Sequence, residues 1–126
     1  MNIPENMMFT RDHEWIRADG EIAYAGITEF AQGELGDIVF IEIETLGENL
    51  GKGDIFGTVE AVKTVSDLFM PVSGEVAEVN EEITSTPELV NKDPYGHGWM
   101  IKIKMNDPSE LNDLLSPSDY KIMLES

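Results

Sequence analysis

The sequence contains no cysteine and only two histidines, His13 and His97, among its 126 residues. The absence of thiols excludes disulfide frameworks, cysteine nucleophiles and thiolate zinc sites, and two histidines are too few for a histidine-rich metal centre. No segment approaches the roughly 20 apolar residues of a membrane-spanning helix. The first residues also lack the pattern of a signal or transit peptide. We therefore expect no membrane association and a bacterial-type cytoplasmic location, with a mature mitochondrial form as the alternative.

Basic residues are also scarce, since 8 Lys and Arg stand against 25 Asp and Glu and give a formal net charge of −17. A surface this acidic repels phosphate backbones, which argues against nucleic-acid binding. It is expected to steer the protein towards positive surfaces on protein partners, although the same charge also serves solubility alone. The length and a hydrophobic content of 41% predict a single domain over residues 1–126.

Short segments with alternating apolar and polar residues predict a mainly β fold, either a sandwich or a barrel. The predicted strands are Glu21–Gly26, Ile38–Glu44, Ile55–Val62, Val65–Val72, Glu75–Val79 and Trp99–Met105. In the second of these, Val39, Ile41 and Ile43 are predicted to share one face. A faint internal repeat, GDIVFI at 36–41 and GEVAEV at 74–79, predicts two similar β halves.

Three short helices are predicted beside the strands. Thr28 is the expected N-cap of a helix over Thr28–Leu35. Two further start signals, Asp107-Pro108 and Ser116-Pro117, predict C-terminal helices over about 107–125.

Lys63 lies between two predicted strands with no helix signal separating them, so Val62–Val65 is predicted to form the tip of a hairpin. A type I turn accommodates Lys and Thr at its centre. A lysine at such a tip projects into water, where a modifying enzyme can reach it. From this feature alone a solubilising lysine is the ordinary interpretation, and Lys52, between two glycines, is a rival attachment site.

A series of motifs runs in order between Phe9 and Leu124. They read HEW at 13–15, GIT at 26–28, LGDIV at 35–39, EAVK at 60–63, VSGEV at 72–76, LVNKDPYG at 89–96 and GWM at 98–100. In this order and spacing they resemble the H protein of the glycine cleavage system, with EAVK matching its lipoylation motif. The departures from the family pattern, at Asp12, Ala61 and His97, leave the lysine untouched.

The resemblance implies a lipoyl-domain-like fold, a barrel-sandwich hybrid of two antiparallel sheets with short flanking helices. It also implies a non-catalytic carrier with lipoate bound as an amide on Lys63. Such an arm would receive an aminomethyl group from a pyridoxal-phosphate-dependent glycine decarboxylase and pass it to a tetrahydrofolate-dependent aminomethyltransferase. Dihydrolipoamide dehydrogenase would reoxidise the arm, and lipoyl- or octanoyl-attaching enzymes would install it.

Four further residues are predicted to act around this arm. Glu60 and Gly74 are expected to matter to the attaching enzyme, with Gly74 letting a neighbouring turn approach the hairpin closely. Glu14 and Asp67 are predicted to line a cleft for the loaded arm, because a shielded ammonium needs a carboxylate partner. The alternative for both carboxylates is simple solvation.

Other functions stay open at this point. An H-like protein could serve lipoate relay or redox signalling. A biotin carrier shares the fold, but those domains resemble Ala-Met-Lys-Met around the lysine, whereas residues 61–64 read AVKT. The last alternative is an enzyme or an unmodified interaction module, although no catalytic residue is predicted.

Overall fold

The computed structural model describes residues 1–126 as nine strands and five helical segments. The strands are β1 (Met8–Phe9), β2 (Glu14–Asp19), β3 (Ile22–Ile27), β4 (Ile38–Glu42), β5 (Asn49–Leu50), β6 (Ile55–Ala61), β7 (Val65–Phe69), β8 (Gly74–Val79) and β9 (Ile101–Met105). The helices are α1 (Glu29–Leu35), α2 (Glu81–Ser85), α3 (Leu89–Lys92), a 3-10 helix (Pro108–Asp113) and α4 (Pro117–Glu125).

The strands form two antiparallel sheets, one of six strands in the order β1-β2-β3-β9-β8-β5 and one of three in the order β4-β6-β7. A core of 18 buried residues draws on both sheets, with Ile16 and Ile103 from the larger and Ile41 and Val59 from the smaller. The predicted fold class, mainly β with two antiparallel sheets and short helices, is confirmed.

The predicted helix starts are present in the structure. The hydroxyl of Thr28 accepts a hydrogen bond from the Ala31 amide at 3.2 Å and begins α1. The Ser116 hydroxyl caps α4 in the same way. The segment after Asp107 is a 3-10 helix of six residues rather than an α-helix, which is longer than the three to four residues usual for this form.

The predicted alternation in β4 is wrong at Val39. A β-bulge between Ile38 and Phe40 inserts one extra residue, so Ile38 and Ile41 are buried while Val39 is 51% exposed. A second bulge lies in β8 between Val76 and Glu78.

The two bulges fall at equivalent positions of the predicted internal repeat. Each follows its glycine, Gly36 or Gly74, by the same number of residues. The shared irregularity is structural support for the two similar segments, although one copy lies in each sheet.

The sequence patterns missed five elements, β1, β2, β5, α2 and α3. Strand β2 opens with Glu14, Trp15 and Ile16 all buried, so it shows no period-two alternation. The residues of α2 form a short helix because the Asn80 side chain caps its start and Ile83 is buried against the core.

Candidate functional site

The Lys63 hairpin is built by β6 and β7. Glu60 pairs with Val65, and the Ala61 amide donates to the Thr64 carbonyl at 2.8 Å, which closes the turn. Neither Lys63 nor Thr64 adopts a positive φ, so the turn needs no glycine. Lys63 is exposed at the tip, as the pattern predicts.

The outer end of the Lys63 side chain lies against Gly36, the residue that follows α1. The Val62 amide donates to the Asp37 carbonyl at 2.9 Å, which ties the hairpin tip to that loop. A Cβ added to Gly36 would lie 3.5 Å from Lys63 Cε. Gly36 has a φ of 77°, a conformation that favours glycine. The lysine stem therefore passes directly over the C-terminal end of α1.

A cleft of about 180 Å³ begins at this end of α1 and runs between the helix and β7. Its apolar lining comes from Ile27, Leu35, Val59 and Leu68, among others. Its wall also holds four carboxylates and no lysine or arginine; the carboxylates are Asp12, Glu14, Glu34 and Asp67. The cleft thus combines apolar surface with strong negative charge.

Glu14 is the buried carboxyl of this cleft, with only 4% of its surface exposed. One of its oxygens, Oε2, accepts the Phe69 backbone amide at 2.7 Å, and the Thr10 hydroxyl donates to Oε1 at 3.4 Å. Phe69 ends β7, an edge strand, so Glu14 satisfies an amide that no neighbouring strand reaches. Burial raises the pKa of Glu14 to about 8, although the Phe69 amide opposes the shift.

Asp67 lies on β7 in the same cleft and is exposed, so the structure brings the two predicted carboxylates together with different degrees of burial. The other two carboxylates of the cleft, Asp12 and Glu34, were not predicted from the sequence. Helical spacing could have found Glu34, because Phe30, Ala31, Glu34 and Leu35 recur every three to four residues on one face of α1.

Asp12 carries no such sequence signal, because it reaches the cleft through an irregular backbone. His13, the next residue, has a φ of 64° and is the one non-glycine residue with a positive φ. The His13 ring packs on Phe30, and its Nδ1 lies 2.9 Å from the Tyr120 hydroxyl, which itself lies 2.7 Å from the Thr28 hydroxyl. Burial lowers the pKa of His13. Helix α4 thereby anchors the loop that carries this wall of the cleft.

Glu60 lies outside the cleft, on the exposed outer face of the three-stranded sheet. Its cross-strand neighbours are Phe40 on β4 and Val65 on β7. Glu60 is thus exposed beside the hairpin, and its role towards the attaching enzyme stays a prediction.

Gly74 lies in the six-stranded sheet and is buried. A Cβ at this position would clash with the Lys104 carbonyl oxygen and would lie 2.6 Å from Ile103 Cγ2. The predicted close approach therefore exists, but it is to the backbone of β9 and not to the Lys63 hairpin. The reason is the register, which pairs Gly74 with Met105.

No cluster of three or more metal-ligating side chains is present. None of the helices combines the length and the apolar character needed to cross a bilayer.

Comparisons with known proteins agree over the whole chain. The model of the glycine cleavage H-protein family matches residues 7–126. The glycine cleavage system H protein of Bacteroides thetaiotaomicron is 56% identical over 124 residues, covering 98% of both chains. That of Bacteroides fragilis is 54% identical over 126 residues, covering 100% of both.

A solved structure gives the same result. The crystal structure of a glycine cleavage system H protein from Mycobacterium marinum has a TM-score of 0.89 at 37% identity, covering 98% of this chain and 100% of that one. The chain therefore belongs to the glycine cleavage H-protein family, whose members are non-catalytic lipoyl carriers of that system, as its motifs predict.

Proposed function

We propose that this chain bears a lipoyl amide on Lys63 and shuttles an aminomethyl group within the glycine cleavage system. The observation that carries the proposal is the position of Lys63, exposed at a hairpin tip with its stem over Gly36 at the mouth of an acidic, partly apolar cleft. When bound, the dithiolane supplies chemistry that no side chain here offers, because its disulfide accepts electrons and a carbon unit together.

The residues around Lys63 fit such an arm. The lysine stem and the lipoyl chain together span roughly 14 Å, at ~1.2 Å per bond of an extended chain. Leu35, the residue before Gly36, already lines the cleft, so the arm can fold back from the tip along α1. Ile27, Val59 and Leu68 would cover its apolar chain.

The carboxylates of the cleft suit a cationic cargo. With its pKa raised to about 8, Glu14 is protonated at neutral pH before the loaded arm enters the cleft, so no unpaired charge is buried. An approaching ammonium favours the ionised carboxyl, and Glu14 then releases its proton to solvent as the ion pair forms. Asp67, being exposed, would meet the same ammonium from the solvent side. Both residues would thus shield the carbon unit from water between enzymes.

The partner enzymes follow from membership in the system. A pyridoxal-phosphate glycine decarboxylase would load the arm, a tetrahydrofolate-dependent aminomethyltransferase would unload it, and dihydrolipoamide dehydrogenase would reoxidise it. Glu60 would contribute to recognition by lipoyl- or octanoyl-attaching enzymes. Gly74, whose contacts are with β9, would act through packing. A single carrier domain over 1–126 with C-terminal helices, in a bacterial-type cytoplasm, remains part of the proposal.

Peptide mapping tests the attachment directly. The full chain from lipoate-replete cells should gain the mass of one lipoyl group, on the peptide that contains Lys63. The peptides with Lys52 and Lys92, which are equally exposed, serve as internal controls and should stay unmodified. Biotin, or modification elsewhere, would overturn the attachment. A lipoylated chain that is inactive with the three enzymes in a glycine exchange assay would instead favour lipoate relay or redox signalling.

A further inference from the structure

Exposed apolar side chains are concentrated around Lys63. Eight large hydrophobic residues of the chain are exposed, and four of them lie at the Lys63 end of the three-stranded sheet. They are Val39 (51% exposed), Phe40 (48%), Val62 (76%) and Val65 (61%), and are called here the apolar collar. Folding does not require them at the surface, and grouped exposed apolar residues mark interaction sites.

The strand register places part of the collar on one face of the three-stranded sheet. Phe40, Glu60 and Val65 lie directly opposite one another on β4, β6 and β7, so their side chains share one face. The hydrogen bond from the Val62 amide to the Asp37 carbonyl holds the hairpin tip beside the start of β4. The collar residues therefore lie at the same end of the sheet as the hairpin tip that carries Lys63.

The charges around the collar have one sign. Glu60 stands between Phe40 and Val65, and Asp37 and Glu42 flank them, whereas Lys63 is the one basic residue between residues 29 and 69 apart from Lys52. Such a surface suits a partner with an apolar centre ringed by arginine or lysine. A second copy of this chain, at a net charge of −17, would be repelled.

We infer that the apolar collar is a docking surface for the enzyme that acylates Lys63. This inference rests on the proposed lipoyl attachment. The unmodified lysine stem reaches roughly 6 Å beyond the backbone, at ~1.2 Å per bond. An enzyme that acylates Nζ must therefore press its surface onto the collar. A partner that works at the far end of a roughly 14 Å arm can stay farther from the backbone.

The test is the acylation of the full-length unmodified chain by a lipoate–protein ligase with lipoate and ATP. The triple variant Val39→Thr/Val62→Thr/Val65→Thr replaces methyl groups with hydroxyls at nearly constant shape. The matched control, Ile55→Thr/Ile122→Thr, removes exposed apolar surface at the far end of the same sheet and on α4. Thermal unfolding checks that both variants fold.

We expect the KM for the triple variant to rise about tenfold, since each methyl lost from a buried contact costs severalfold in affinity. Its kcat should stay near that of the wild type, because the lysine itself is unchanged. The control should keep the wild-type KM. Equal acylation of wild type and triple variant would overturn the inference alone, even if glycine exchange by the pre-lipoylated variant were weakened. Failure of the wild type to accept lipoate would overturn the proposed function as well.

Discussion

The two sheets differ in what they present to solvent. On the six-stranded sheet, Arg17 lies 4.6 Å from the centre of the Tyr24 ring and the Lys102 ammonium lies 5.0 Å from it, and no strand of this sheet exposes a large hydrophobic residue. The three-stranded sheet exposes the collar and also Ile55. Cation–π contacts cover the Tyr24 ring on the larger sheet, whereas the smaller sheet leaves large apolar side chains exposed.

Glu14 joins these two regions. It begins β2 of the larger sheet, yet its carboxyl accepts an amide from β7 of the smaller one. The six-stranded sheet is called here the platform, and the three-stranded sheet, which presents the exposed apolar residues, is called the working face. Besides the shared core, the Glu14–Phe69 hydrogen bond joins them. Substitutions on each sheet test this difference.

The largest expected effect is that of Lys63→Arg on the working face. Because the side chain is exposed, the variant should keep the wild-type thermal unfolding midpoint while losing all activity in a glycine exchange assay. Lys104→Arg, at an exposed position on the platform, is the matched control and should remain active. An active Lys63→Arg variant would show that carrier activity does not depend on this lysine of the working face.

Glu14→Gln tests the hydrogen bond that Glu14 makes between the sheets. The measured property is the stability of the protein as a function of pH. A carboxyl whose pKa rises from 4.5 to about 8 on folding keeps its proton only in the folded state. The stability of the wild type should therefore fall as pH rises from about 4.5 to about 8. The variant has no carboxyl to titrate at this position. Its free energy of unfolding, relative to that of the wild type, should therefore rise by about 2 to 4 kcal/mol across that pH range, as measured by urea unfolding. Parallel pH profiles for the two proteins would show that Glu14 titrates normally.

Gly74→Ala should damage the platform. The added Cβ would clash with the Lys104 carbonyl oxygen, which forces β8 and β9 apart. We expect a loss of about 2 kcal/mol in the free energy of unfolding. Gly33→Ala, inside α1 with no atom near its Cβ, should instead stabilise by about 0.5 to 1 kcal/mol. Slow lipoylation of folded Gly74→Ala at unchanged stability would restore a recognition role for Gly74.

The smallest effect concerns the cleft carboxylates. Asp67→Asn and Glu14→Gln keep the shape of the side chain but remove the partner of an ammonium. Isolated loaded protein should then release its carbon unit a few times faster, as expected for a partly exposed ion pair. Glu60→Gln, outside the cleft, is the control and should keep the wild-type lifetime. Unchanged lifetimes in both cleft variants would show that their carboxylates are only solvated.

The sequence alone determined the family, the fold class and Lys63 at a hairpin tip. Motif order, turn position and helix caps are local along the chain, and they can be read without knowing which strands pair. The same local patterns failed at Val39, where a bulge shifts the register, and in β2, where both faces are covered. They also could not reveal which exposed residues form a collar.

The tertiary structure decided the rest, because the contacts in question join distant parts of the chain. The burial of Glu14 depends on the edge of β7, 55 residues away in sequence. The crowding at Gly74 depends on its pairing with β9, and the position of the Lys63 side chain depends on its contact with Gly36. Alternation and spacing describe neighbours along a strand or a helix, whereas these contacts arise only when two sheets and a helix pack around one core.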